Sequence, residues 1–143
     1  MSGAKKLPKD VETNLLKLCA TGRAAAQRRD AAAAERAFVE AWALIPDSKA
    51  EWDFYPQSLA RGLVEHFSSM GQHEKAKAWL ITTRAMYGSD PATDASLGML
   101  EGKVRFEAGE LDEAREIFSD LHRKHGKRPF AGADPKYLRL VTR

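Results

Sequence analysis

The four histidines and the single cysteine are the side chains here whose types could do chemistry, and their spacing decides how far each goes. His122 and His125 stand three apart, which puts both imidazoles on one face of a helix and could form one edge of a metal site. Arg123, Lys124, Lys127 and Arg128 crowd the same stretch and oppose a bound cation, so a solvated basic helix end that complements the helix dipole is the better reading. His66 and His73 flank a turn and read as surface histidines. Cys19 falls on an apolar stripe with no base near it in sequence, the setting of a buried structural thiol rather than a nucleophile. The chain contains no phosphate-cradling glycine loop, no GxSxG elbow and no HExxH pair. The run from Arg123 to Arg128 lacks the interleaved aromatics that stack bases, which argues against nucleic acid. The expectation is a non-enzymatic chain with no metal, cofactor or small-molecule substrate.

The elements around these residues read as helices. Apolar side chains recur at three and four spacing in Val11, Leu15, Leu18, Cys19, then Ala34, Ala37, Phe38, Ala41, Trp42, and then Leu59, Leu63, Val64, Phe67. Ala76, Trp79, Leu80, Thr83 follow, with Leu97, Leu100, Val104 and finally Leu111, Ala114, Ile117, Phe118, Leu121. The fold class is all-α, with six amphipathic helices in a row. Short breaks at Arg29-Asp30, Gly71-Gln72 and Gly109-Glu110 suit reversals between antiparallel neighbours. Longer breaks run from Ile45 to Tyr55 and from Tyr87 to Thr93. In the first, Pro46 stops a helix and Ser48 with Glu51 has capping-box spacing, although Pro56 would kink or delay the next helix. In the second, Asp90 before Pro91 supplies an N-cap and a first-turn proline. The chain thus divides into hairpins at about 10–46, 50–88 and 91–126, with residues 1–9, including Lys5, Lys6 and Lys9, expected to fray.

Composition agrees with one such domain. The chain has 143 residues, 43% of them hydrophobic, enough for one continuous core. Its 23 Lys and Arg nearly match 20 Asp and Glu, which makes a mixed surface rather than a nucleic-acid footprint. Apolar runs such as Ala41 to Ile45 are far too short to span a bilayer, so no membrane partner is expected. Lysines near the N-terminus have no apolar block behind them, which argues against a secretory leader. With one cysteine, no intrachain disulfide can form, and a cytoplasmic location is expected.

The hairpins superimpose on one another. Gly22 precedes Ala34 as Gly102 precedes Ala114, with Phe38, Ala41 and Pro46 following the first pair and Phe118 and Leu121 the second. The middle hairpin keeps Gly71, Ala76, Leu80 and Thr83, with Val64 at the place of the early glycine. Small residues suit a close helix crossing, and the bulky ones fill the groove beside it. Over residues 11 to 126 this pattern resembles the tetratricopeptide repeat, with its small residue on the first helix, turn glycine, alanine, bulky residue and terminal proline. Ala34, Ala76 and Ala114 are spaced more widely than the usual repeat of about 34 residues, so the linkers must be extended. The aromatics usual on the first helix are largely missing, with Leu18, Ala60 and Gly98 at one position and Ala25, Phe67 and Arg105 at the other.

A stack of three hairpins needs a closing element at its open end. Asp134-Pro135 can start a short helix whose Tyr137, Leu138 and Val141 lean on the third hairpin, with Phe130 pinning the link before it. The tetratricopeptide resemblance implies a concave face built from the first helix of each hairpin. That face carries Arg23 and Gln27, then Ser58, Arg61, Glu65 and Ser69, then Met99, Lys103, Phe106 and Glu107. Mixed charge around an aromatic suits a protein contact. Trp52, Phe54 and Tyr55 form a second aromatic group, read as a plug rather than an exposed anchor. The Trp52-Asp53 linker, Gly102-Lys103 and the tail from Arg128 to Leu138 resemble small bacterial tetratricopeptide-like immunity proteins, which implies binding and neutralising a cognate toxin domain. The alternative is an adaptor or chaperone in which Arg23, Arg61 and Lys103 clamp a peptide terminus.

Overall fold

The computed structural model describes residues 5–88 and 93–142. Among them the chain is helical, in two compact units divided between Leu63 and Val64. Asp90 and Pro91, the expected start signal of the fifth helix, lie outside the described residues.

In the first unit, α1 (Lys9–Gln27) and α2 (Ala31–Leu44) pack along their length. Leu15, Cys19, Gly22 and Ala25 are the buried stripe of α1, and Ala34, Ala37 and Ala41 that of α2. The crossing is tight at Gly22, where an added Cβ would lie 2.5 Å from the Phe38 ring, so only glycine lets α2 approach this closely. The stretch before α1 is held rather than frayed from Lys5 onward. Lys5 donates its backbone N–H to the Glu51 carbonyl at 3.0 Å and accepts from Asp53, its ammonium pairs with Glu51 at 2.8 Å, and Leu7 is buried. The expected capping box at Ser48 does not form. Lys49–Glu51 is instead a 3₁₀ turn without a side-chain cap, and α3 (Tyr55–Ser69) begins four residues later, with Pro56 in its first turn where no N–H is needed.

The second unit holds the end of α3, α4 (His73–Tyr87), α5 (Asp94–Glu107), α6 (Leu111–His125), a 3₁₀ turn at Arg128–Phe130 and α7 (Pro135–Thr142). α5 packs against both α4 and α6, and α7 returns onto α6. At Gly102 a Cβ would run into the Phe118 ring, the same crossing as Gly22 with Phe38. α7 closes this unit as its sequence implies: the Asp134 carboxylate accepts the Lys136 N–H at 3.0 Å, and Tyr137 is buried against Phe118 and Phe130.

The repetition is clearest in the backbone of the turns. Arg29, Gly71 and Gly109 all adopt positive φ, at 64°, 75° and 82°. The next residue, Asp30, Gln72 or Glu110, donates back to Ala25, Phe67 or Arg105 at 2.9 Å in each case, and the positive-φ residue itself donates to Ala26, Ser68 or Phe106. This is the Schellman arrangement, which satisfies the last carbonyls of one helix while aiming the chain into the next. Four residues on, the N–H of Ala34, Ala76 or Ala114 closes the first turn of the returning helix, and all three alanines are completely buried.

Candidate functional site

α5 is the axis of the site. Its Leu100 and Val104 are buried, and the residue between them on the neighbouring face, Lys103, comes out half-exposed beside the ring of Tyr137, with the ammonium 5.8 Å from the ring centroid. Together with Glu65, Ser68 and Ser69 at the end of α3, and with Glu107 and Tyr137, they line an open groove of about 320 Å3 in the second unit. The floor is apolar and the rim carries carboxylates, hydroxyls and an ammonium, a mixture suited to polypeptide rather than to a uniformly charged ligand.

Tyr137 organises one wall. Its hydroxyl donates to Glu107 Oε2 at 2.8 Å, Lys136 Nζ reaches the same oxygen at 3.0 Å, and the ring meets Phe106 edge-on at 5.1 Å. Lys136 also lies over both rings, 5.3 Å from Phe106 and 5.4 Å from Tyr137. Burial, and then the hydrogen bond to Glu107, push the phenol well above its ordinary pKa. Burial alone would raise the Glu107 carboxyl, but the hydrogen bonds from Tyr137 and Lys136 outweigh it and hold that group below its usual range. The wall is therefore a charged latch between α5 and α7 at neutral pH.

An ion-pair network holds α4, α5 and α6 in register. Lys77 bridges Glu74 at 2.9 Å and Glu110 at 2.8 Å, Arg105 reaches the other Glu110 oxygen at 2.8 Å, and Arg84 pairs with Glu101 at 2.6 Å. The hydrogen bonds from Lys77 and Arg105 hold the Glu110 carboxyl below its ordinary pKa, and the same contact raises Lys77.

Of the ten expected contact residues, Glu65, Ser69, Lys103 and Glu107 meet in this groove. Arg23 and Gln27 are exposed on α1, Ser58 is exposed and Arg61 half-buried on the first part of α3. Met99 leaves the set: it is 5% exposed and belongs to the core cluster with Phe118, Phe130 and Tyr137. Phe106 packs against that cluster beneath Tyr137 instead of standing free. The repeat frame puts both on an open face, but Phe130 and Tyr137 join Met99 in the core, and Tyr137 packs on Phe106. Ser68 and Tyr137 join the groove without having been expected in it, and only the Asp134-Pro135 start of α7 pointed towards Tyr137.

His66 is buried at 8% exposure, tilted against Phe67 at 5.3 Å, which corrects its reading as a surface histidine. Cys19 is buried, and its thiol is pushed up by burial against a smaller opposing effect of Arg23, so thiolate is scarce near neutrality. Among the described residues no cluster of His, Cys, Asp and Glu could hold a metal ion. In the basic run, Arg123 and Lys124 both pair with Asp120, the latter at 3.2 Å, and the His122 ring meets Phe130 edge-on. The aromatic linker splits: Trp52 donates Nε1–H to the Pro46 carbonyl at 2.9 Å and Tyr55 donates to Glu12 at 2.7 Å, whereas Phe54 is exposed. No described helix is long and apolar enough to cross a membrane. No known protein family, curated protein or solved structure matches the chain.

Proposed function

We propose that the chain is a non-enzymatic protein-binding module of tetratricopeptide-like hairpins that engages its partner at the groove lined by α3, α5 and α7. The observation that carries this reading is the convergence of Glu65 and Ser69 from α3 with Lys103 and Glu107 from α5 on one apolar-floored groove. Such a groove supplies an apolar anchor point and a charged rim that sets orientation. The tail from Arg128 to Leu138 folds into the core through Phe130 and Tyr137, which accounts for those residues structurally. The immunity reading therefore rests on resemblance, and in it the partner is a toxin's catalytic domain. The adaptor reading rests on the ammonium of Lys103 at the groove, where a peptide terminus would be clamped.

Co-expression with the product of an adjacent toxin gene, with cell survival and the affinity of the purified pair as readouts, separates them. Immunity gives rescue and a large interface that Lys103→Glu weakens by about tenfold or less. Clamping gives no rescue, and Lys103→Glu then abolishes a salt-sensitive micromolar binding of peptides. A chain that neither rescues nor binds peptide in any salt overturns the proposal.

A further inference from the structure

Phe54 occupies a conformation that packing does not explain. It has φ 68°, and the Tyr55 N–H reaches back across it to the Asp53 carbonyl at 2.7 Å, a γ-turn of the rare positive-φ kind. A bulky residue held there costs about 1–2 kcal/mol relative to glycine. The ring recovers little of that by burial, because 62% of the residue is exposed and the ring meets the edge of Tyr55 at 5.2 Å. The loop beneath is fixed on every side, by Trp52 to Pro46, by Asp53 to Lys5, by Lys5 to Glu51, and by Tyr55 to Glu12 on α1. Leu16, exposed at 47%, stands one turn along α1 from Glu12, the residue that receives Tyr55. The exposed charge of this loop is predominantly acidic, the Lys5 ammonium being paired with Glu51. Asp47 and Asp53 are exposed, and Glu51 stays half-exposed while paired, whereas Lys49 turns inward to the Ile45 carbonyl and over the Trp42 ring at 5.5 Å.

We infer that Phe54 anchors a protein-binding surface on the first unit, one that fits a partner bearing an apolar pocket edged by basic side chains. A rigid loop presents the aromatic with little ordering left to lose on association, which is the property of an interface anchor. The acidic rim selects the partner and speeds encounter. This surface shares no residue with the groove of the second unit and stands whether or not that groove is used.

The full chain carrying p-benzoylphenylalanine at position 54 is irradiated in the cells that produce it, with position 39 as control, and the crosslinked protein is purified for binding measurements. The expected result is a crosslink specific to position 54, a complex weakened about 30-fold or more by Phe54→Ser, and slower association with Asp53→Lys at low salt. Phe54→Gly is expected to weaken the complex equally while raising the thermal midpoint of the free chain, which a structural role for the ring would reverse. The inference is overturned by the absence of a crosslink above the control, by an adduct of two copies of this chain, or by a partner that binds Phe54→Ser as tightly as wild type. A partner that loses affinity with Lys103→Glu and not with Phe54→Ser likewise overturns it and leaves the groove standing.

Discussion

The first and third hairpins use the same glycine and phenylalanine at their crossing but trade volume around it in opposite directions. Gly22 receives Phe38 and Gly102 receives Phe118. One turn before the glycine, the first hairpin has Leu18 with Ala41 at the matching place on its second helix; the third has Gly98 with Leu121, and a Cβ at Gly98 would lie 2.9 Å from Leu121 Cδ2. The large partner has moved from one helix to the other. What the repeat conserves is thus the summed volume at a crossing, not the residue at a position. The two hairpins also differ in cover. Phe118 is completely buried, with Phe130 and Tyr137 against it at 5.6 and 5.5 Å, while Phe38 keeps part of its surface in water.

That difference in cover sets the largest expected effect. Phe118→Ala should cost about 3–5 kcal/mol in chemical denaturation, because it removes a ring packed on all sides and loosens α7 with it. Phe38→Ala should cost clearly less; equal losses would mean that the closing aromatics add nothing. The traded volumes give the next effect. Leu121→Ala alone should cost about 2–5 kcal/mol and Gly98→Leu alone about 1–3 kcal/mol, whereas the two together reproduce the arrangement of the first hairpin and should recover most of the loss. Additive losses in the double variant would break the volume argument.

How much of this was legible in the sequence follows from the same comparison. The helices and their buried faces were, since Leu15, Leu63, Leu80, Leu97 and Phe118 repeat at helical spacing whatever their partners. The turns at Gly71 and Gly109 were, because glycine marks positive φ, and the turn at Arg29 was readable only as a short polar break. Met99 and Phe106 read as open because the repeat frame ends at the third hairpin, whereas Phe130 and Tyr137 beyond it share the core with Met99, and Tyr137 packs on Phe106. His66 was misjudged because its polarity says nothing of the helix face it occupies. The linker aromatics read as one group in the sequence, but a single γ-turn at Phe54 sends its ring outward while Trp52 and Tyr55 turn in.

The turns extend the comparison to smaller energies. Arg29 holds the left-handed conformation that Gly71 and Gly109 hold at the equivalent places, with the same pair of hydrogen bonds around it. Glycine there should relieve about 1 kcal/mol, so Arg29→Gly is expected to stabilise the chain and Gly109→Arg to destabilise it by a similar amount. Thermal midpoints moving in the same direction in both variants would mean that the two turns are not equivalent.

The residue after each turn gives the smallest effect, and here the hairpins part again. Asp30 caps its own helix, its carboxylate accepting the Ala33 N–H at 3.1 Å, whereas Glu110 spends its carboxylate on Lys77 and Arg105. The Glu110 pKa is held below its unfolded value, so its ion pairs contribute stability above that value, and the contribution is lost as pH falls through the lower folded one. Lys77 is raised, so its share persists below the ordinary lysine range and is lost only as pH rises through the higher folded value. Glu110→Gln should therefore lower the thermal midpoint at pH 7 and leave it unchanged at a pH low enough to protonate the wild-type carboxylate. Salt should shrink the difference at pH 7, because these side chains stay in contact with water. An effect of Glu110→Gln that persists in strong acid would mean that the side chain acts through its shape rather than its charge.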